Sequence, residues 1–152
     1  MVSLAAFPKC YIEDITEGRM RLEEWIDQSA QLECDGLELY SHFLKSHQAG
    51  YLRKIRRRIE SLGMQIPMMC YSPDFTVPDR DVRQKEVDKQ IEMICVTSEL
   101  GGQFCRTHSG QARPELALQE GIDWVVQCIE ACLPAAVQCG VTLVIENHYK
   151  DG

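Results

Sequence analysis

The residues able to move protons or hold ions gather at the ends of short apolar runs. The richest group is the tail VTLVIENHYKDG, where Glu146, Asn147 and His148 follow an apolar stretch. A carboxylate in that position can ligate a hard divalent metal and act as a base, and an imidazole can bind metal or a substrate hydroxyl. The competing reading is structural, with Glu146 capping the next helix and His148 exposed. Arg106, Thr107, His108 and Ser109 close the run in QFCRTHSG; Tyr71, Ser72, Pro73 and Asp74 close another, and Tyr40, Ser41 and His42 a third. An arginine at a strand mouth pairs with a carboxylate or fixes an anionic group, whereas His108 also suits a hydrogen-bonded rim position. His42 and His47 read as surface or rim histidines. No cysteine is placed with a paired histidine, so thiol nucleophilic catalysis has no support.

The elements that must position these residues follow from periodicity. Five apolar runs, SLAAF (3–7), GLELY (36–40), IPMMCY (66–71), QFCRT (103–107) and VTLVIE (141–146), alternate with segments of helical spacing. Leu22, Trp25, Ile26 and Ala30 mark one helical stripe, Leu52, Ile55, Ile59 and Leu62 a second, and Val87, Ile91, Ile94 and Cys95 a third. Gly63, Gly101 and Gly140 follow the helical segments just before strands, as left-handed helix ends require. The segment from Glu115 to Cys139 is predicted to form two helical pieces, because Pro134 removes a backbone donor.

A β-α-β order with helix-length connections implies a parallel sheet, either a barrel or a doubly wound open sheet. No GxGxxG or GxxxxGK follows the first run, which argues against the open sheet. Charges within strands decide the matter further. Strand parity sets Leu37 and Leu39 toward the helices and Glu38 inward, groups Arg106 with His108, and sets Thr142, Val144 and Glu146 opposite Leu143 and Ile145. Inward charges suit a barrel with a polar mouth. The expected fold is therefore α/β, a parallel (β/α) TIM-barrel type over residues 1–152 as a single domain. It is incomplete, holding about the first five βα units of the eight that close a barrel. Bare strand edges lead to the further expectation of self-association into a homo-oligomer.

Composition limits the partners. A net charge of −7 disfavours nucleic acid, whose phosphates need clustered Lys and Arg; the basic run from Arg53 to Arg58 falls on the solvent side of its helix. No stretch reads as a membrane span and the N-terminus lacks a signal peptide's pattern, so a cytoplasmic location with no membrane partner is expected. The eight cysteines include no CxxC pair and read as reduced, buried small hydrophobes.

The succession GLELY, YSPDF, FCRTHSG and VTLVIENHY resembles the sugar phosphate isomerase/epimerase superfamily, with its xylose-isomerase-like barrel; ENH is the specific segment. The resemblance implies that Glu146 ligates a divalent metal (Mn, Mg, Co or Zn) and is half of a pair of acid–base carboxylates. The family's other ligands, an Asp, a His and a second Glu from later strands, have no counterpart here. The implied reaction is isomerisation or epimerisation of a small-molecule sugar or sugar phosphate through an enediolate. Arg106, His108 and His148 would hold hydroxyls or a phosphate, with Glu38 and Tyr71 completing the substrate-binding set and Glu38 also expected as an ion-pair partner of Arg106. Two alternatives stand beside this reading: an endonuclease IV-like phosphodiester hydrolase of the same fold, and a non-catalytic truncated or interaction fragment.

Overall fold

The computed structural model describes residues 3–146. Every strand pairing is parallel. β1 (Ala5–Ala6) pairs with β2 (Gly36–Leu37), and β3 (Leu39–Tyr40), β4 (Met68–Cys70), β5 (Phe104–Thr107) and β6 (Thr142–Ile145) follow in the order β3-β4-β5-β6. The run expected as one strand over 36–40 is divided at Glu38, whose N–H donates to Ala6 O at 3.0 Å. Below Glu38 the run lies between β1 and Gln65, which leads into β4, and above it the run pairs with β4 itself. Five strand positions side by side, each connected through helix, make a partial TIM barrel.

Helices α1 (Ile12–Thr16), α2 (Leu22–Ser29), α3 (Ala49–Ser61), α4 (Arg80–Glu99) and α5 (Leu118–Cys139) supply the outer cover. Strand parity places the core as expected: Leu39, Met69, Cys105 and Leu143 are register partners on the helix side, and the first three are fully buried. Leu52, Ile55 and Ile59 of α3 join them, each such side chain stabilising by roughly 1.5–3 kcal/mol on burial. Asp79 caps α4 by accepting from the N–H groups of Asp81 and Val82 at 2.8 and 3.1 Å.

Three expectations are corrected. The buried stripe of α4 is Val87, Gln90, Met93, Ile94, Val96 and Thr97, leaving Cys95 on the exposed side. Gln90 Nε2 reaches Cys105 Sγ at 3.3 Å, so a polar residue holds a core position that apolar periodicity passes over. Second, α5 is one continuous helix with Pro134 inside it. Pro134 and Glu130, the residue four before it, are both exposed, so the carbonyl that loses its partner faces solvent and the turn survives. Third, only Cys70, Cys105, Cys128 and Cys132 are buried; Cys10 and Cys95 are exposed and Cys34 and Cys139 half-buried.

By length and composition α5 is apolar enough to cross a membrane, contrary to the sequence expectation. It packs instead on α4 and β6, burying Gly121, Cys128, Cys132 and Ala136, with Arg83 of α4 stacked over the Trp124 ring at 4.1 Å. Its outer stripe of Leu118, Ile122, Val126, Leu133 and Val137 is exposed.

Candidate functional site

Arg106 pairs with Val144 in the β5–β6 register, so Glu146, two residues further along β6, rises on the same inner face just above the guanidinium. Arg106 Nη1 donates to Glu146 Oε2 at 2.6 Å, and His108 Nε2 lies 3.4 Å from the same oxygen. Arg106 Nη2 donates to Ser72 Oγ at 2.8 Å. The ladder extends past the strand, since Glu146 N donates to Thr107 O at 3.2 Å and holds the carboxylate's backbone in place. Arg106 and His108 side chains are 15% and 13% exposed and that of Glu146 50%, so the carboxylate is the solvent-facing member of the group, above a recessed guanidinium and imidazole. Arg106 Nε is buried with no partner among the described residues.

The charges act on one another as this geometry requires. Burial raises the Glu146 carboxyl, but the His108 hydrogen bond and the Arg106 charge outweigh it and hold the group below the ordinary carboxylate range. Glu38 moves the opposite way. Its burial dominates, the Arg106 charge offsets only part of it, and Glu146 adds repulsion, so its carboxyl is raised. Two carboxyl groups on one inner face are thus pushed apart in acidity, a pattern found where one donates and the other accepts a proton.

The ion pair expected between Glu38 and Arg106 does not form. β4 lies between their strands, a separation of about 10 Å at ordinary strand spacing, and Glu146 is on the adjacent strand. Tyr71 is also set apart from Glu146. Parity turns it to the helix side, where its hydroxyl donates to Glu86 Oε2 of α4 at 2.9 Å, and burial together with that bond raises the hydroxyl well above the ordinary phenolic range. Tyr71 and Ser72 line a cleft of about 530 Å³ with His42, His47, Glu86 and Lys89. His42 and His47 therefore border a polar cavity that shares Ser72 with the Arg106 cluster. His148 lies outside the described residues.

A second polar group, which residue spacing did not reveal, locks the loops around this mouth. Arg113 Nη2 donates to Asp74 Oδ2 at 2.7 Å and Nη1 to Thr76 Oγ1 at 2.6 Å, while Thr76 Oγ1 donates to Gln111 O at 2.7 Å. The loop after β4 is thereby fastened to the loop after β5. Gly110 makes the closure possible, since at φ +131° a Cβ there would meet Asp74 Oδ1 and Thr76 Oγ1 at 2.6 Å.

Burial raises the Asp74 carboxyl, but the Arg113 and Thr76 side chains and the Gln111 amide hold it below its ordinary 3.8. Stability from a depressed carboxyl is complete above its unfolded value and is lost as pH falls through the folded one. Asp74→Asn is therefore expected to lower the urea midpoint at neutral pH and to flatten its decline between about pH 5 and pH 2. Equal slopes for parent and variant would show that Asp74 is not part of the acid response.

No group of three His, Cys, Asp or Glu side chains able to hold a metal gathers among the described residues. Glu146 and His108 offer two donors, one of them already shared with a guanidinium, whereas enzyme metal centres use three or more protein ligands. The described residues do not by themselves fit a metal centre.

The family model described as xylose isomerase-like TIM barrel matches residues 26–152. Among curated proteins, the chain is 25% identical over 112 residues to the probable endonuclease 4 of Campylobacter concisus (strain 13826), covering 71% of this chain and 39% of that protein. It is 26% identical over 121 residues to that of Aquifex aeolicus (strain VF5), covering 74% and 43%. Among solved structures, D-psicose 3-epimerase with D-tagatose from Clostridium cellulolyticum H10 superposes with a TM-score of 0.76 at 14% identity over 93% of this chain and 51% of that one. L-ribulose 3-epimerase superposes with a TM-score of 0.77 at 18% identity over 95% and 49%. The chain spans about two fifths of the curated relatives' length and about half of the superposed chains.

Proposed function

Because the chain belongs to the xylose isomerase-like TIM barrel family, we propose that its complete barrel moves a proton between neighbouring carbons of a sugar or sugar phosphate, as an isomerase or epimerase. The observation that carries this reading is the Glu146 carboxylate, held ionised at a strand mouth by Arg106 and His108. In this reading Glu146 takes the proton from the carbon beside the carbonyl, the C–H electron pair becomes the carbon–carbon double bond of an enediolate, and the carbonyl π pair moves onto its oxygen. In an isomerase Glu146 returns the proton to the former carbonyl carbon while the hydroxyl proton passes to the former carbonyl oxygen; in an epimerase a second acid of the complete barrel delivers a proton to the opposite face of the same carbon, and Glu146 keeps the one it took. Arg106 faces the developing oxyanion, and such a preplaced charge is worth more in a recessed site than in water. His108 orients the carboxylate. Glu38, on the same inner face, hydrogen-bonds a sugar hydroxyl, and the cleft lined by His42, His47 and Ser72 receives the remainder of the sugar. Tyr71 lines the same cleft, its hydroxyl held by Glu86.

In the complete barrel Glu146, with His148 as a second candidate, would be what this chain contributes to holding a divalent metal, and such a metal would supply polarisation of the sugar carbonyl. For the 152-residue chain, titration calorimetry with Mn²⁺ or Zn²⁺ is expected to find no saturable binding tighter than roughly 10⁻⁴ M, the weak range for sites poor in ligands. Stoichiometric micromolar binding would reveal a ligand set other than this one.

The deciding experiment follows deuterium from solvent into the carbon beside the carbonyl by NMR. It uses the chain extended to the length of its relatives, with added metal and a panel of ketoses, aldoses and their phosphates. Exchange with any member supports proton transfer. No exchange together with nicking of a DNA duplex would transfer the site to the second reading, phosphodiester hydrolysis, which the similarity to the two probable endonuclease 4 proteins favours.

A further inference from the structure

Two thiols meet across α4 and α5 at the end of the sheet opposite the Glu146 mouth. Cys95 Sγ and Cys139 Sγ are 3.5 Å apart, 44 residues apart in sequence. Their surroundings hold them there, for Ser98 Oγ donates to Cys139 O at 3.0 Å and ties the last turn of α5 to α4. Cys95 is exposed and Cys139 half-buried, so small reagents in water reach the pair. A disulfide requires about 2.05 Å between sulfurs, so the two side chains must rotate to close the remaining distance.

We propose that Cys95 and Cys139 form a reversible dithiol–disulfide pair that cross-links α4 to α5, with oxidised glutathione or a similar small disulfide as the oxidant. Cys95 is the attacking thiol because it is the exposed one. Its thiolate attacks one sulfur of glutathione disulfide, forming a mixed disulfide and expelling glutathione thiolate. The Cys139 thiolate then attacks the Cys95 sulfur, expelling the second glutathione and completing the internal bond. The protein loses two protons and two electrons, and one glutathione disulfide becomes two glutathione thiols. Competing cysteines are poorly placed. Cys70, Cys105 and Cys132 are buried away from small reagents, and burial pushes their thiols up; burial and the neighbouring Cys95 also raise Cys139, but its target sulfur already lies 3.5 Å away.

The bond would lie near the helix ends that lead into β5 and β6 through Gly101 and Gly140. In barrels that end of the strands serves stability, while the opposite end carries the chemistry. Oxidation therefore fastens the cover of the sheet and leaves Arg106 and Glu146 untouched.

The test exposes the purified chain to millimolar glutathione disulfide and maps its peptides without reduction. The expected product is a peptide pair joined through Cys95 and Cys139, lighter than the two free thiols by two hydrogen atoms and separated again by dithiothreitol. Closing a loop of this length should raise the thermal midpoint by about 5–10 °C. Cys95→Ser should abolish both the joined peptide and the rise while melting like the reduced parent. A Cys10→Ser, Cys34→Ser variant removes the other accessible thiols and should keep both. Glutathione remaining on Cys95 with Cys139 free, or an unchanged midpoint after full cross-linking, would overturn the proposal.

Discussion

In a chain completed to a closed barrel, Glu146→Gln should slow solvent-deuterium exchange into the sugar by roughly 10²–10⁴-fold, the usual worth of a positioned acid or base. The substitution is mild for the fold. The Glu146 side chain is half-exposed and its N–H bond to Thr107 O belongs to the backbone. Glutamine also keeps an oxygen able to accept from Arg106 Nη1. What it lacks is the negative charge and the basic site, which Arg106 and His108 stabilise in the parent. The melting temperature should thus change little while turnover nearly vanishes, a separation that no general destabilisation would give. Exchange at the parent rate under saturating metal would remove Glu146 from the role of base.

The placement of Arg106, His108 and Glu146 on one face was legible because strand parity is rigid, each residue of a strand turning its side chain opposite to the last. The charge expected at the mouth appears there once β5 and β6 are in register. Partner choice was not legible in the same way. Parity sets Glu38 inward, but only strand order shows that β4 separates it from Arg106 and that Glu146 is the nearer carboxylate. Tyr71 shows the same limit from the other side: it ends an apolar run next to Ser72, yet one position of parity sends Ser72 to Arg106 and Tyr71 to Glu86.

Helix faces were legible where apolar residues alone define them, as at Leu52, Ile55 and Ile59 of α3, although Leu62 of the same expected stripe lies past the helix end and is exposed, and misleading where buried positions are filled by other types. On α4, Gln90 and Thr97 are fully buried, which turns the true stripe away from Cys95. The Asp74–Arg113 contact joins residues 39 apart through two loops. Neither loop has a period that could announce it, although Gly110 between them marks where the backbone must pass close.

Phe75→Ala should cost about 3–5 kcal/mol, the range for emptying an aromatic core position. Phe75 sits on the loop after β4, between Asp74 and Thr76, and is among the largest fully buried side chains of the protein. Its N–H donates to Ser109 O at 3.2 Å, so one residue anchors the loop in the core and also bonds it to the loop after β5. Alanine retains the backbone bond and removes the anchor, leaving a cavity that the neighbouring Asp74–Arg113 network is too constrained to fill. Against a total stability of about 5–15 kcal/mol, such a loss is large, and at about 2–4 °C per kcal/mol it lowers the thermal midpoint by roughly 6–20 °C. Phe75→Leu keeps most of the volume and should cost less than half as much. Hydrogen exchange locates the effect: the Thr76 and Gln111 amides, which bond to Asp74 in the parent, should lose protection before amides of the β4–β5 ladder. A midpoint within 2 °C of the parent, or uniform loss of protection across the sheet, would mean that the mouth loops are held by the Asp74–Arg113 network alone and that Phe75 is not their anchor.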